Sequence, residues 1–392
     1  MKRYERRYTC VADLETAALK RLPKFVHDYL AYGIGNGVGV RKNREELDEV
    51  ELMPKYLSEI DQPNYGCNLL GREYDAPFGV APIGLAGLVW PKAEAHLAST
   101  AANHNIPFTL STVAMITLEN ARQLAAENTW FQLYTPQDPA IRKDLIKRCA
   151  DAGYDTLIVT VDVPYGTRRE HDIRNGLSVP PSFNLRTLWQ MMIHPPWALR
   201  MLASGVPKFV NLSPYYDAEM LKKRRSEIHR SARFIKNRMG VHITRNVFGE
   251  IRSQWSGNLL VKGVLDPEEA SVYANAGADG VIVSNHGGRQ LDAAPTAVSV
   301  LTRVREAVGP DYPIIADGGV RSGLDIARMI ALGANFVLMG RAFMFAVAAL
   351  DKMGPDHLIN TLKAELQSTM GQLGCPSLAN LPDYLVRKSV PI

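Results

Sequence analysis

The sequence predicts an α/β protein, a single (β/α)8 (TIM) barrel. Eight short apolar, β-prone runs alternate with segments of helical periodicity from Phe78 to Asp351. Polar and glycine residues gather at the C-terminal ends of those runs, where barrels of this kind assemble their sites. No glycine fingerprint follows the first run, which disfavours the alternative, a doubly wound open sheet.

In chain order, residues 13–32 (DLETAALKRLPKFVHDYLAY) carry apolar residues at helix spacing. Asp13 is the expected N-cap, and Pro23 is expected to separate two short helices. The following GIGNGVGV has four glycines in eight residues and is expected to be an irregular loop. No strand precedes it, so dinucleotide binding is not expected there. The expected strands are Phe78–Pro82, Phe108–Thr112, Trp130–Tyr134, Thr156–Asp162, Leu259–Gly263, Gly280–Asn285, Pro313–Gly318 and Phe336–Gly340. Helical patterns follow most of them, over 92–104, 117–127, 139–152, 267–276, 296–308, 322–332 and 341–351.

One interval breaks the rhythm. Between Asp162 and Leu259 the chain runs far longer than a βα connection needs, so residues 163–246 are expected to form an excursion within a single domain spanning 1–392. Its first half holds Leu185, Leu188, Trp189, Met191, Met192, Ile193, Pro195, Pro196, Trp197, Leu199, Met201 and Leu202. Its second half, residues 222–238, holds eight Lys/Arg against one acid, Glu227. An apolar patch beside a basic one suits contact with a membrane surface over 185–238. The competing reading is an active-site lid or a subunit contact with a solvated basic helix.

Composition sets the broad class. With 392 residues and 46% hydrophobic content the chain can bury a large core, and its net charge of +5 is modest. The four cysteines (Cys10, Cys67, Cys149, Cys375) lie far apart with neither a CxxC pair nor metal-site spacing. Reduced thiols in a cytoplasmic setting are expected, with no metal. The basic N-terminus lacks the apolar run of a signal peptide, and no stretch approaches the ~20 apolar residues of a membrane span.

The chemistry is concentrated in GVIVSNHGGRQLD, residues 280–292. A strand that ends in His286, two glycines and Arg289 has the form of a barrel strand delivering catalytic groups at its tip. His286 can take a proton near neutral pH, and Arg289 can clamp a carboxylate through two hydrogen bonds. Asp162, two strands away, is the carboxylate expected to support the imidazolium. At strands seven and eight, Asp317-Gly318-Gly319 with Arg321, and Gly340-Arg341, sit at helix N-termini where barrels hold phosphate. Lys262 at the end of strand five suits a flavin, whose reduced ring carries negative charge. Gln132 and Thr160 are placed to hydrogen-bond the ring edge. Two rival readings stay open on these residues: a non-redox FMN-barrel isomerase, and a phosphate-binding aldolase or lyase using Lys262 as a Schiff base.

SNHGGRQLD, together with TVDVPYGTRRE, FQLY, LVKG, DGGVRSG and the final GR, resembles the FMN-dependent L-2-hydroxy acid oxidases and dehydrogenases. The resemblance runs from about Leu14 to Val386, apart from the excursion. It implies FMN as cofactor and oxidation of an L-2-hydroxy acid to the 2-oxo acid. It implies His286 as the base, Asp162 as its partner, Arg169 and Arg289 as the carboxylate clamp with Tyr29 assisting, and Tyr134 as the phenol on the substrate hydroxyl. It implies ring contacts from Pro82, Ile83, Gly84, Ser111, Gln132, Thr160, Lys262 and Ser284, and a ribityl and phosphate site from Asp317, Gly319, Arg321, Gly340 and Arg341. It implies O2 or a quinone-like carrier as acceptor, no nucleic-acid partner, and a homotetramer or octamer in the cytoplasm or at the inner face of the plasma membrane.

The sequence departs from that pattern at three places. GIGN (33–36) stands where an acidic GAED-like run is usual, Pro82-Ile83-Gly84 where PTA or PTG is common, and Val113 where glycolate oxidase-like members place a Trp. Gly84 and Val113 are both expected to enlarge the space around the substrate side chain. A substrate bulkier than glycolate, aryl or long-chain, follows as an expectation, and Gly84 leans the reading toward a dehydrogenase.

Overall fold

The computed structural model describes residues 3–57, 60, 62–177, 185–205, 208–216, 230, 233–235, 238–240 and 242–386. Four helices lead in: α1 (Arg3–Arg7), α2 (Val11–Arg21), α3 (Lys24–Ala31) and α4 (Val38–Asp48). A small hairpin follows, β1 (Cys67–Leu69) and β2 (Arg72–Tyr74). The barrel then runs β3 (Phe78–Val80), α5 (Ala86–Val89), α6 (Ala93–Asn103), β4 (Phe108–Ser111), α7 (Leu118–Ala125), β5 (Thr129–Leu133), α8 (Pro139–Asp151) and β6 (Thr156–Thr160). The excursion carries α9 (Glu170–Arg174), α10 (Leu185–Met192) and α11 (Pro195–Ser204), and the chain rejoins the barrel with α12 (Arg245–Gln254). The second half is β7 (Asn258–Val264), α13 (Pro267–Asn275), β8 (Gly280–Val283), α14 (Ala297–Val308), β9 (Ile314–Asp317), α15 (Gly323–Ala331), β10 (Phe336–Met339), α16 (Arg341–Leu350) and α17 (Gly354–Leu373).

Strands β3 to β10 close into a barrel in the order β10-β3-β4-β5-β6-β7-β8-β9, every neighbour parallel. The period of two divides each strand between two cores. Trp130, Ile158, Leu260, Ile282, Ile315 and Phe336 fill the barrel interior, and Leu69 and Tyr74 of the hairpin pack with them and plug its N-terminal end. Their neighbours Phe131, Leu157, Val159, Val261, Val281 and Val283 face outward against the helices. Side chains at helix starts keep the βα units in register: Thr117, Asp138, Asp266, Thr296 and Ser322 each accept a backbone N–H of the first turn they precede.

All eight expected strands form. Asp13 is not the N-cap of α2. Cys10 holds that position, and Asp13 in the first turn reaches back to the Thr9 N–H at 2.8 Å, a variant of the reciprocal cap. The glycine run is only partly a loop. Gly37 adopts a left-handed conformation, and Val38-Gly39-Val40 already belong to α4.

Hairpin α10–α11 is held to the barrel by its inner side alone. Gln190 Oε1 accepts the Phe25 N–H at 3.2 Å, and Trp197 Nε1 donates to the carbonyls of Leu88 and Val89 at 3.2 and 3.1 Å. Its outer side exposes Leu185, Leu188, Trp189, Met192, Ile193, Leu199 and Leu202, each 51–85% accessible. Most of the basic run expected to flank it lies outside the described residues. No described helix is long and apolar enough to cross a membrane.

Candidate active site

Strand register brings the polar strand ends to one level. Ser111 pairs with Gln132, and Thr160 with Lys262. The side chains continue that row: Ser111 Oγ donates to Gln132 Oε1 and Gln132 Nε2 to Thr160 Oγ1, both at 2.9 Å. Lys262 Nζ donates to Ser284 Oγ at 2.7 Å and pairs with Asp317 Oδ2 at 2.9 Å. Burial works to lower the Lys262 pKa, but the charges of Asp317 and Asp162 outweigh it and the amine is held above its ordinary value. An amine paired with a carboxylate and a hydroxyl in this way suits a fixed cation more than the nucleophile of a Schiff base.

His286 stands at the tip of β8 in a left-handed conformation, φ 58°, rare for a side chain of this size and characteristic of functional positions. Ser284 Oγ accepts its N–H at 3.0 Å. Nδ1 lies 3.0 Å from both carboxylate oxygens of Asp162, and Nε2 lies 3.3 Å from the Tyr134 hydroxyl. A carboxylate only accepts, so Nδ1 carries the hydrogen and Nε2 presents its lone pair to the barrel mouth. Burial pushes the Asp162 carboxyl up, yet the charge His286 carries once protonated and its hydrogen bond, with Lys262 behind, bring it below its ordinary value. Burial drives the Tyr134 phenol well up, so it stays a hydrogen-bond donor.

Arg289 leaves the same loop and is anchored on the C-terminal end of α3, donating to the carbonyls of Tyr29 and Tyr32 at 2.6 and 3.0 Å with its guanidinium 4.7 Å from the Tyr29 ring centre. Arg341 donates to the carbonyls of Leu30 and Gly287 at 2.9 and 2.8 Å. Arg321 donates to the Val320 carbonyl at 3.0 Å and lies over the Phe345 ring. Burial lowers the pKa of all three, Arg321 to about 10, and mutual repulsion adds to it: Arg169 acts on Arg289, and Arg289 and Arg321 act on Arg341. Among the described residues no carboxylate forms an ion pair with Arg289, Arg321 or Arg341. Half-buried guanidinium groups with no carboxylate in direct contact are placed to take up an anion.

The donor set fits FMN on an independent observation. Asp317 uses Oδ2 on Lys262, while Oδ1 is buried without a hydrogen-bond partner. An orphaned carboxylate oxygen beside a cationic cluster suits a sugar-alcohol hydroxyl next to a phosphate. Gly319 and Gly340 flank Arg321 and Arg341, with Gly340 the N-cap of α16.

Two contacts add detail to the expected site. Tyr29 donates its hydroxyl to the Gly84 carbonyl at 3.0 Å. A Cβ on Gly84 would meet Val113 Cγ2 at 2.7 Å, so the two positions face each other. The neighbouring Ile83 lies beside Gly340.

The sequence reading missed the brace behind His286. Asn43 and Asn285 exchange amide hydrogen bonds at 2.9 Å in each direction, both buried. Asp292 accepts the N–H groups of Asn36 and Gly39 at 3.0 and 2.9 Å and holds the glycine loop down. A Cβ on Gly288 would meet the Val40 nitrogen at 2.6 Å, so only glycine admits this backbone contact. The LD that closes the 280–292 run was the available signal for Asp292.

The family model described as FMN-dependent dehydrogenase matches residues 18–388. The chain belongs to the FMN-dependent dehydrogenase family. Family members are FMN-dependent 2-hydroxy acid dehydrogenases and oxidases, and FMN is the cofactor. The (S)-mandelate dehydrogenase of Pseudomonas putida is 34% identical over 381 residues, covering 97% of this chain and 94% of that one. An L-lactate dehydrogenase of Caulobacter vibrioides is 35% identical over 380 residues, covering 97% of each. The solved structure of monotopic membrane protein (S)-mandelate dehydrogenase superposes with a TM-score of 0.91 at 34% identity, over 97% of this chain and 100% of that one. A mandelate oxidase structure gives 0.81 at 30% identity, over 98% and 100%.

Proposed function

We propose that the protein oxidises an L-2-hydroxy acid to the 2-oxo acid, with His286 as base, Asp162 as its partner, Tyr134 on the substrate hydroxyl, and Arg169 and Arg289 as the carboxylate clamp, assisted by Tyr29. The observation that carries this reading is the Tyr134–His286–Asp162 chain, at 3.3 and 3.0 Å, ending in a lone pair at Nε2. A carboxylate paired with Arg289 is held with its 2-position placed for attack, and such fixed orientation supplies much of the rate. Asp162, ionised at neutral pH, stabilises the imidazolium once Nε2 has taken its proton. Bound FMN supplies the electron sink for the two electrons that leave the 2-carbon. Departure of the hydrogen as hydride or as proton fits this arrangement equally.

The substrate is an acid bulkier than glycolate, aryl or long-chain. Val113 facing a residue without a side chain supports this, as do the mandelate-acting relatives. The acceptor is a quinone or similar carrier, with O2 the second reading. Peripheral membrane association through α10–α11 supports a lipid-soluble acceptor, and the monotopic neighbour supports the association. Anaerobic mixing with acids from glycolate to mandelate, followed by bleaching of the flavin, tests substrate and class together. Bleaching should be faster with mandelate than with glycolate; rates that rise toward glycolate would refute the bulky-substrate assignment. Fast reoxidation by air would overturn the dehydrogenase assignment.

A further inference from the structure

One buried acid takes no part in the chemistry above. Glu94, in the first turn of α6, is 3% exposed. Its Oε1 accepts the main-chain N–H of Gly87 and that of Met115, each at 3.2 Å. Gly87 belongs to the connection that leaves β3 through Pro82, and Met115 to the one that leaves β4 through Ser111. The Leu85 N–H donates to the Val113 carbonyl at 3.4 Å between the same two connections. Burial raises the pKa of the Glu94 carboxyl, with the backbone N–H groups opposing it. Burying a carboxyl is costly, and here it yields a clasp between two loops that no ladder pairs.

Those two loops carry the facing pair Gly84 and Val113. Gly84 is tied in turn to the clamp side of the site, because its carbonyl accepts the Tyr29 hydroxyl. We infer that Glu94 is a positioning residue that sets the separation of Gly84 from Val113, and through it the width of the substrate side-chain pocket and the preference among 2-hydroxy acids. The inference rests on the function proposed above. Glu94 acts through the main-chain amides of Gly87 and Met115. A clasp that only kept the loops folded would change stability and leave substrate choice alone.

The test compares FMN-loaded wild type with Glu94→Ala, measuring kcat/KM for (S)-mandelate and for L-lactate. Loosened loops should cost the smaller acid more, shifting the ratio by about tenfold, the scale on which apolar pockets discriminate. Glu94→Gln keeps an oxygen for both amides and should return the ratio to within about twofold of wild type. A ratio within about twofold of wild type in Glu94→Ala, even with both values lowered together, would overturn the inference. Where Glu94→Ala gives no holoprotein, Glu94→Asp, one methylene short of the amides, carries the same test with a shift of about threefold expected and an unchanged ratio contradicting it. Wild-type protein whose flavin is bleached by neither acid would overturn the proposed function itself, a result separate from an unchanged ratio in the variants.

Discussion

The mouth of the barrel and the α10–α11 hairpin are both places where residues sit against the ordinary rule, and they do so in opposite ways. At the mouth, Lys262, Asp317 and Asn285 are polar and buried and Asp162 is half-buried, each tied to a partner at 2.7–3.0 Å. On the hairpin, Trp189, Leu199 and Leu202 are apolar and 60–76% exposed. Buried polar groups are tolerated where chemistry needs them, and exposed apolar groups where another surface covers them. Under the proposed function the contrast separates what the protein does from where it does it. Substitutions at the mouth should change turnover with little effect on location, and substitutions on the hairpin the reverse.

The largest expected effect tests the mouth. Asp162→Asn removes the charge that supports the imidazolium, and flavin reduction should slow by roughly 10²–10⁴-fold while FMN stays bound, as read by anaerobic stopped-flow. Lys262→Met leaves Asp317 buried and unpaired, which should cost about 3–5 kcal/mol of stability in denaturant titration and lower FMN loading. Retention of wild-type stability would mean that Asp317 is solvated and the site looser than described.

The pH profile sharpens the same side of the comparison. The Asp162 carboxyl is held below its ordinary value of 3.8, so its contribution to stability is present above that value and is lost as pH falls through its lower, folded-state value. Lys262 is held above 10.5, so its contribution is present below that value and is lost as pH rises through the higher, folded-state one. Between these limits the two groups should add no pH dependence of their own, and in a series of thermal melts Asp162→Asn should soften the acid limb most and the alkaline limb as well, because its charge also acts on Lys262. The smallest effect tests the hairpin. Leu199→Ser with Leu202→Ser should leave stability within about 0.5 kcal/mol and flavin reduction unchanged, while binding to anionic vesicles in a flotation assay is lost.

The barrel was legible because its strands carry uninterrupted apolar runs and its helices a clean period, as in Thr156–Thr160 and Ala297–Val308. The hairpin that plugs the barrel was not, since three-residue strands such as Cys67–Leu69 give no period to read. The long final helix, Gly354–Leu373, begins with a Gly-Pro pair that reads as a break, although Pro is at home in a first turn. The start of α4 was hidden by glycines that serve a close backbone contact with Gly288 and not flexibility. In the site, His286, Asp162, Arg289 and Lys262 could be found because each stands at or just beyond the end of a strand. The Asn43–Asn285 brace joins residues 242 positions apart, and no local pattern marks either partner. The opposition of Gly84 and Val113 likewise depends on how two loops meet in space.

Rapid anaerobic mixing of His286→Gln with (S)-mandelate, followed at the flavin absorbance, tests the account most directly. With FMN bound and no bleaching on the wild-type timescale, the imidazole is the group on which turnover depends. Bleaching at a near wild-type rate would contradict the account and move the proton to another residue.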